Sequence, residues 1–352
     1  MVKNMKLRNE RELGLSCDPY FIAELNSSHL GKIDLAFEMI EAAKESGVDC
    51  VKFQSWSESS LYSKTYYQAN PIAKRFVKKF SLSPSELRTL GDFCNDIGIS
   101  FSSTPYSEEE VDFLVDQHDV PFIKIASMEI NNHNYLDYIA RKNVPIILST
   151  GMADMEEVDS AVEVIMESGN ENIALLHCVS IYPAPEEEIN LNNIPTFLDK
   201  YPSLVIGYSD HTTGLGAPVS AIALGARIIE RHFTLDPTVV GMDNQMATSP
   251  SDMERVIKAC KESFRALGDY KRSLSAYELD QRLNMRRSLV AKCDMKEGEV
   301  LTKEKIVFKR PGNGIPPTSI NNVIGMKLTK AIESDEMITV DYLDDKVDNN
   351  LE

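Results

Sequence analysis

From Tyr20 onward the chain alternates short, apolar, β-branched runs with segments of helical periodicity about eight times. The runs are Tyr20 to Glu24, Asp49 to Gln54, Ile99 to Ser103, Pro121 to Ala126, Pro145 to Ser149, Ile173 to Cys178, Leu204 to Ser209 and Arg227 to Phe233. They are nearly continuous in apolar character, as strands buried on both faces should be. Between them, Ala36, Ile40 and Ala43 fall on one helical face, as do Val158, Val162 and Ile165, and Met253, Val256 and Cys260. Capping boxes are expected at Ser83 with Glu86, Ser107 with Glu110 and Ser251 with Glu254. Eight βα units over roughly 250 residues predict an α/β fold, a (β/α)8 TIM barrel. A doubly wound open sheet is the alternative, disfavoured because no G-x-G-x-x-G follows the first strand.

The pattern changes after Leu267. We read residues 1–267 as the barrel, 268–284 as a charged linker with one helix, and 285–352 as a small β-rich domain whose acidic end, Asp341 to Glu352, is expected to fray. Within the barrel, Ser55 to Leu82 is long for a connection and carries Trp56, Tyr62, Tyr66 and Tyr67, as a lid or a peripheral insertion with a short helix would. The net charge of −17 argues against nucleic acid or an anionic membrane as partner. No stretch approaches ~20 uninterrupted apolar residues, and the N-terminus lacks a signal-peptide core. Six unpaired-looking cysteines fit a reducing, cytoplasmic setting.

The richest stretch for chemistry is Leu204 to Phe233, a strand, a Gly- and Ala-rich helix and a second strand, with His211 and His232 at the strand ends. Parallel neighbours would place both imidazoles on one rim, where they suit a divalent transition metal. Two unrelated histidines, one in the core and one on a loop, are the alternative. The other strand ends present Glu24, Lys52, Gln54, Ser103, Thr104, Lys124, Ser127, Glu129, Ser149, Thr150, Ser180, Tyr182 and Ser209. Lys52 and Lys124 each interrupt an apolar strand, where an unpaired ammonium is costly. Together they suit a phosphate or carboxylate; pairing with Glu24 or Glu129 as internal salt bridges is the other reading.

The ordered motifs Ile22-Ala-Glu24, His29-Leu-Gly31, Val51-Lys52-Phe-Gln54, Lys124-Ile-Ala-Ser127-Met-Glu129 and Leu148-Ser-Thr-Gly-Met152 resemble the sialic acid synthase family. So do Leu176-His-Cys178, Tyr182-Pro-Ala-Pro185, Gly207-Tyr-Ser-Asp-His211, Glu230-Arg-His-Phe-Thr234 and Lys309-Arg-Pro-Gly-Asn-Gly314. The resemblance spans about Tyr20 to Tyr342. It implies a barrel followed by an antifreeze-like (SAF) domain, and a nonulosonate synthase that condenses phosphoenolpyruvate with an N-acylated amino sugar and water. The products would be a nine-carbon 2-keto acid and phosphate. It further implies His211 and His232 as ligands of a divalent metal, typically Mn2+, with Mg2+ or Co2+ as alternatives. Lys52, Lys124, Ser127 and Ser209 match positions that hold phosphoenolpyruvate. Gln54, Ser180, Tyr182 and Asp243 match positions near the sugar, and Glu24 and Glu129 the carboxylates that manage water and protons. Arg310 matches an arginine that reaches the partner's barrel mouth, implying a homodimer with exchanged C-terminal domains.

Departures from the family pattern cluster on the sugar-facing loops. Glu24-Leu-Asn-Ser-Ser-His29 lacks the usual glycine and asparagine, Met128 replaces a glycine, and Gly241-Met-Asp243-Asn244 replaces Gly-Pro-Asp-His. The acceptor therefore stays open among N-acetylmannosamine, a 6-deoxy di-N-acetyl relative and other hexose derivatives. Two further readings are a Schiff-base aldolase on Lys52 or Lys124, and a catalytically retired barrel serving as a binding subunit.

Overall fold

The computed structural model describes residues 4–241 and 244–344. Asp243 and the tail from 345 onward lie outside the described residues. The chain divides into two compact units, Met1–Gly268 and Asp269–Glu352.

Eight parallel strands build the larger unit: β1 Tyr20–Glu24, β2 Cys50–Gln54, β3 Ser100–Thr104, β4 Ile123–Ile125, β5 Ile146–Ser149, β6 Ile173–Cys178, β7 Val205–Asp210 and β8 Ile228–His232. They are arranged in the order β3-β2-β1-β8-β7-β6-β5-β4, and seven parallel ladders join neighbours. Across the β3–β4 seam Ser102 Oγ donates to the Phe122 carbonyl at 2.9 Å, closing a TIM barrel. No described helix is long and apolar enough to cross a membrane.

Side chains alternate across each strand, so the barrel has two apolar populations. Phe21, Val51, Ile146, Leu175 and Ile229 point outward and pack beneath helices such as α1 (Ile33–Glu45), whose Ala36, Met39, Ile40 and Ala43 are buried. Tyr20, Ile22, Cys50, Phe122, Ile147, Ala174, Leu176, Val205 and Ile228 point inward and fill the lower interior. Met5, Leu7 and Leu13, from a two-stranded ribbon (Met5–Lys6 with Glu12–Leu13), join that layer and close the bottom. Gly207 belongs to this layer too; a Cβ there would meet Leu176 Cδ2 at 2.5 Å and the Ile228 backbone oxygen at 2.7 Å. In seven strands the next inward position is polar and in β6 it is the Cys178 thiol, which turns the upper interior into a site.

Helix starts differ in part from the sequence expectation. The box at Ser83 forms with Glu86. Ser107 caps Glu110 N, but the Glu110 carboxylate accepts instead from Tyr106 N and Ser60 Oγ. Helix Pro250–Leu267 is capped by Ser249, not Ser251, because Pro250 has no N–H to satisfy and suits the first helical position.

The Ser55–Leu82 stretch folds as three short helices, α2 Glu58–Leu61, α3 Lys64–Ala69 and α4 Pro71–Phe80. Trp56, Tyr67, Val77 and Phe80 give it an apolar cluster of its own, backed by Leu30, Leu61 and Tyr106.

The smaller unit contains helix Ala276–Met285, which lies largely in the segment read as a linker, and an antiparallel pair, β9 Ser288–Ala291 and β10 Ile306–Lys309. Its core includes Leu289, Leu301, Ile315, Val323 and Ile338. The strand expected near 337–340 reduces to a bridge from Met337 to Val290, followed by a 3-10 turn at Val340–Tyr342. All six cysteines are free thiols.

Candidate active site

Period-two alternation continues the inward faces upward: Ile22 leads to Glu24, Cys50 to Lys52 and Gln54, Phe122 to Lys124, and Ile228 to Glu230 and His232. These groups line a cavity of about 340 Å3 at the C-terminal mouth of the barrel, where this fold places its chemistry. Ser127, Ser180, Tyr182, Ser209 and His211 line it too.

Its floor is a four-charge cluster. Lys52 Nζ pairs closely with Glu24 and donates to Thr104 Oγ1 at 2.9 Å, with Glu230 Oε2 3.9 Å away. Lys124 Nζ donates to Ser149 Oγ at 2.7 Å and faces Glu230 Oε1 at 3.5 Å. Glu230 thus stands between both lysines, and Ser209 Oγ donates to it at 3.3 Å. All four charged side chains are buried. Each such ion loses several kcal/mol of solvation, so the cluster persists only because the charges face one another. Burial pulls Lys52 down to about 7, against Glu230, which raises it, and with Lys124, which lowers it further. Burial pushes the Glu230 carboxyl up, but Lys124 and Lys52 outweigh it and hold the group below its ordinary range.

Glu230 is the residue that sequence reasoning passed over. Its signal was available: it lies two residues before His232 in a strand, hence on the same inward face. The internal pairing weighed for Lys52 is present through Glu24, whereas Lys124 faces Glu230 rather than Glu129. Glu129 is half-buried, accepts from Asn132 Nδ2 at 2.9 Å and is not among the cavity's lining residues.

At the mouth, the His211 and His232 rings lie 5.4 Å apart, centroid to centroid. The Tyr182 ring covers His211 at 4.3 Å. His211 Nδ1 donates to the Val179 carbonyl at 2.7 Å, which directs the Nε2 lone pair of its neutral form away from that bond. Backbone anchoring of this kind is how proteins orient metal-binding imidazoles. Burial lowers His211, but Cys178 beside it, the Val179 carbonyl and Glu230 raise it overall, so its neutral, ligating form gains population as pH rises. Burial, followed by His211 and the two lysines, keeps His232 neutral, well below the ordinary histidine range. Within the floor, Glu230 Oε2 is buried and accepts no hydrogen bond among the described residues. Formally the floor carries two lysine charges against two carboxylates, so it holds no surplus positive charge for an anion. A divalent cation on the two imidazoles would provide it, and the donor set fits such an ion. No cluster of three or more His, Cys, Asp or Glu ligands exists among the described residues, so other positions on the ion would remain for substrate or water.

The remaining groups shape the walls. Gln54 Oε1 accepts from Trp56 Nε1 at 2.8 Å and from Tyr106 OH at 2.9 Å. Because indole N–H only donates, this fixes the amide's orientation and leaves its NH2 as a donor. Ser127 Oγ accepts from Gly151 N at 3.0 Å. A Cβ on Gly151 would meet Ser180 Oγ at 2.3 Å and Ser127 Oγ at 2.9 Å, so a larger residue there would have to move both hydroxyls. Asp243 lies outside the described residues. Arg310 is exposed on the smaller unit.

Fold and site together define a barrel enzyme with a buried, charged floor beneath a pair of histidines. Residues 39–272 match the NeuB family and residues 286–343 the SAF domain. The N,N'-diacetyllegionaminic acid synthase of Legionella pneumophila is 34% identical over 98% of this chain and 100% of its own length. The N-acetylneuraminate-9-phosphate synthase of Homo sapiens is 32% identical over 92% of each chain. The crystal structure of N-acetylneuraminic acid synthetase from Leptospira borgpetersenii in complex with citrate superimposes with a TM-score of 0.74 at 31% identity, covering 80% of this chain and 95% of that one. The chain belongs to the NeuB family and carries its SAF domain. It is an enzyme of the transferase class.

Proposed function

We propose that the protein is a nonulosonate synthase that joins phosphoenolpyruvate to the aldehyde carbon of an N-acylated amino sugar, with water, releasing phosphate and a nine-carbon 2-keto acid. The observation that carries this reading is the pair of buried lysines flanking Glu230 beneath two histidines.

Lys52 and Lys124, with Ser127, Ser149 and Ser209, are suited to hold the carboxylate and phosphate of the three-carbon substrate. Gln54, Ser180 and Tyr182, with Asp243, would orient the sugar above it. His211 and His232 would hold a divalent cation, most simply Mn2+, with Mg2+ or Co2+ as alternatives, and the ion would supply Lewis-acid polarisation of the sugar carbonyl. Attack by the enol carbon forms the new carbon–carbon bond and leaves positive charge on the carbon that bears phosphate. Glu24 and Glu230 are the carboxylates nearest to offset that charge and take a proton from the water that adds there, whereas Glu129, outside the cavity lining, would act only if the site rearranged. Collapse of the resulting tetrahedral centre expels phosphate, whose charge the lysines balance.

The test is phosphate release from phosphoenolpyruvate and Mn2+ across N-acetylmannosamine and its 6-deoxy, di-N-acetylated relatives, with and without chelator. Chelation is expected to abolish turnover, and His211→Ala and His232→Ala to lose it without unfolding. Turnover unaffected by both would remove the metal from the scheme.

A second chemistry has one observation in its favour. Lys52 pulled to about 7 is partly neutral near neutrality, as a Schiff-base lysine must be. Borohydride trapping of a keto substrate on Lys52 would establish it; the close pairing with Glu24 argues against it.

A further inference from the structure

Each of the two site histidines follows directly on a charged residue: Asp210 precedes His211, and Arg231 precedes His232. Arg231 and Asp210 are register partners, the last pair of the β7–β8 ladder. Side chains alternate along β8, so Arg231 points out of the barrel where Glu230 and His232 point in. Both members of the pair are buried on that outer face. Neither they nor Thr212 and Gly214 are among the cavity's lining residues, so the pair lies behind the site and not in it.

The two histidines are not held alike. His232 is a strand residue, in register with Glu24 of β1, and its carbonyl accepts from Thr248 N at 2.8 Å. His211 stands one residue past the end of β7. The loop that carries it is fastened from behind by a single guanidinium. Arg231 Nη2 donates to the Thr212 carbonyl at 2.7 Å and Nη1 to the Gly214 carbonyl at 2.8 Å, with Asp210 Oδ2 3.1 Å from Nη1. Asp210 Oδ1 accepts in turn from Thr212 N at 2.8 Å. Only a planar fork reaches several acceptors in fixed directions; a lysine would carry the charge as a compact point.

We propose that Arg231 is a positioning residue: it ties the loop of His211 to the strand of His232 and so holds the two imidazoles at the separation a shared cation needs. This rests on the reading of the two histidines as metal ligands. Arg231 and Asp210 cancel in charge, so the pair acts on the site by geometry and not by its field. The Val179 carbonyl and Ala184 N also hold His211, so losing the fork loosens that ring without releasing it.

The experiment uses the full-length protein and Mn2+ alone. Calorimetry gives the Mn2+ affinity of the wild type, His211→Ala, Arg231→Lys, and the double variant Asp210→Asn with Arg231→Gln. The double variant leaves no buried charge without its partner, so it keeps the barrel folded where a lone change could fail. Thermal unfolding checks the fold, and nuclear magnetic resonance of the apoprotein labelled in its histidine rings reports on each imidazole. Arg231→Lys and the double variant are expected to bind Mn2+ about tenfold more weakly, the scale of losing a group that orients a ligand. They are also expected to shift the His211 resonances more than those of His232. A purely structural arginine would lower the melting temperature and leave both the Mn2+ affinity and the His211 resonances in place, and that result would overturn the proposal. So would an equal disturbance of the two rings. Should Arg231→Lys not fold, the double variant decides. If the wild type shows no Mn2+ binding that His211→Ala removes, the metal reading fails by itself. The apoprotein spectra then judge the tether: a shift centred on His211 supports it, and an unmoved His211 overturns it.

Discussion

Glu230 sets the electrostatics of two lysines at once, and this gives it a measurable signature. Lys52 must be charged to hold an anion, and its folded value near 7 lies below the ordinary lysine value. The competent form is therefore complete below neutrality and lost as pH rises through about 7. We expect log kcat/KM for phosphoenolpyruvate to fall on the alkaline side with an apparent midpoint near 7. Glu230→Gln removes the carboxylate that raises Lys52, so the limb should move to lower pH, and activity should fall at every pH. A limb that stays in place in this variant would mean that another group controls it. At this scale most of the site was legible, because a charge inside an apolar strand is conspicuous: Lys52 and Lys124 stand out in the sequence. Glu230 is harder to single out, because it stands beside Arg231 in the sequence. In the barrel the two part company, Glu230 inward to the lysines and Arg231 outward to Asp210 at 3.1 Å.

Among the elements, the N-terminal ribbon was the least predictable. Its strands are two residues each, too short for any periodicity, and their role comes entirely from where the chain returns them: Met5, Leu7 and Leu13 complete the inward layer with Tyr20, Phe122 and Ile147. Leu7→Ala should cost about 2–5 kcal/mol in urea unfolding, as large-to-small changes at fully buried sites do. A loss under about 1 kcal/mol would mean that the ribbon merely rests on the barrel. The eight strands, by contrast, were readable because burial on both faces makes each a bounded apolar run. The helices of the Ser55–Leu82 stretch were only partly so. Ser57 and Ser63 are competent caps, but α2 and α3 are too short to show a face.

For the molecule as a whole, the change of pattern after Leu267 was visible because a βα repeat gives way to short strands and turns. How the two units assemble is not encoded in such a pattern. The family resemblance has Arg310 completing a partner's site, and this has a definite consequence. Arg310→Ala and a floor variant such as Lys124→Ala should each be inactive alone, while mixed dimers should recover about a quarter to a half of the activity, since one site in the pair would be intact. Mixtures that stay inactive after subunit exchange would show that each chain completes its own site.

The plug of Met5, Leu7 and Leu13 carries a last consequence. With one end stoppered, the chamber is a cul-de-sac, and traffic is last in, first out. On the proposed chemistry, whatever settled on the lysines would have to arrive before the sugar and could not depart past it. Arrival order would then be a matter of architecture rather than of relative affinity, and the outer guest would trap the inner one.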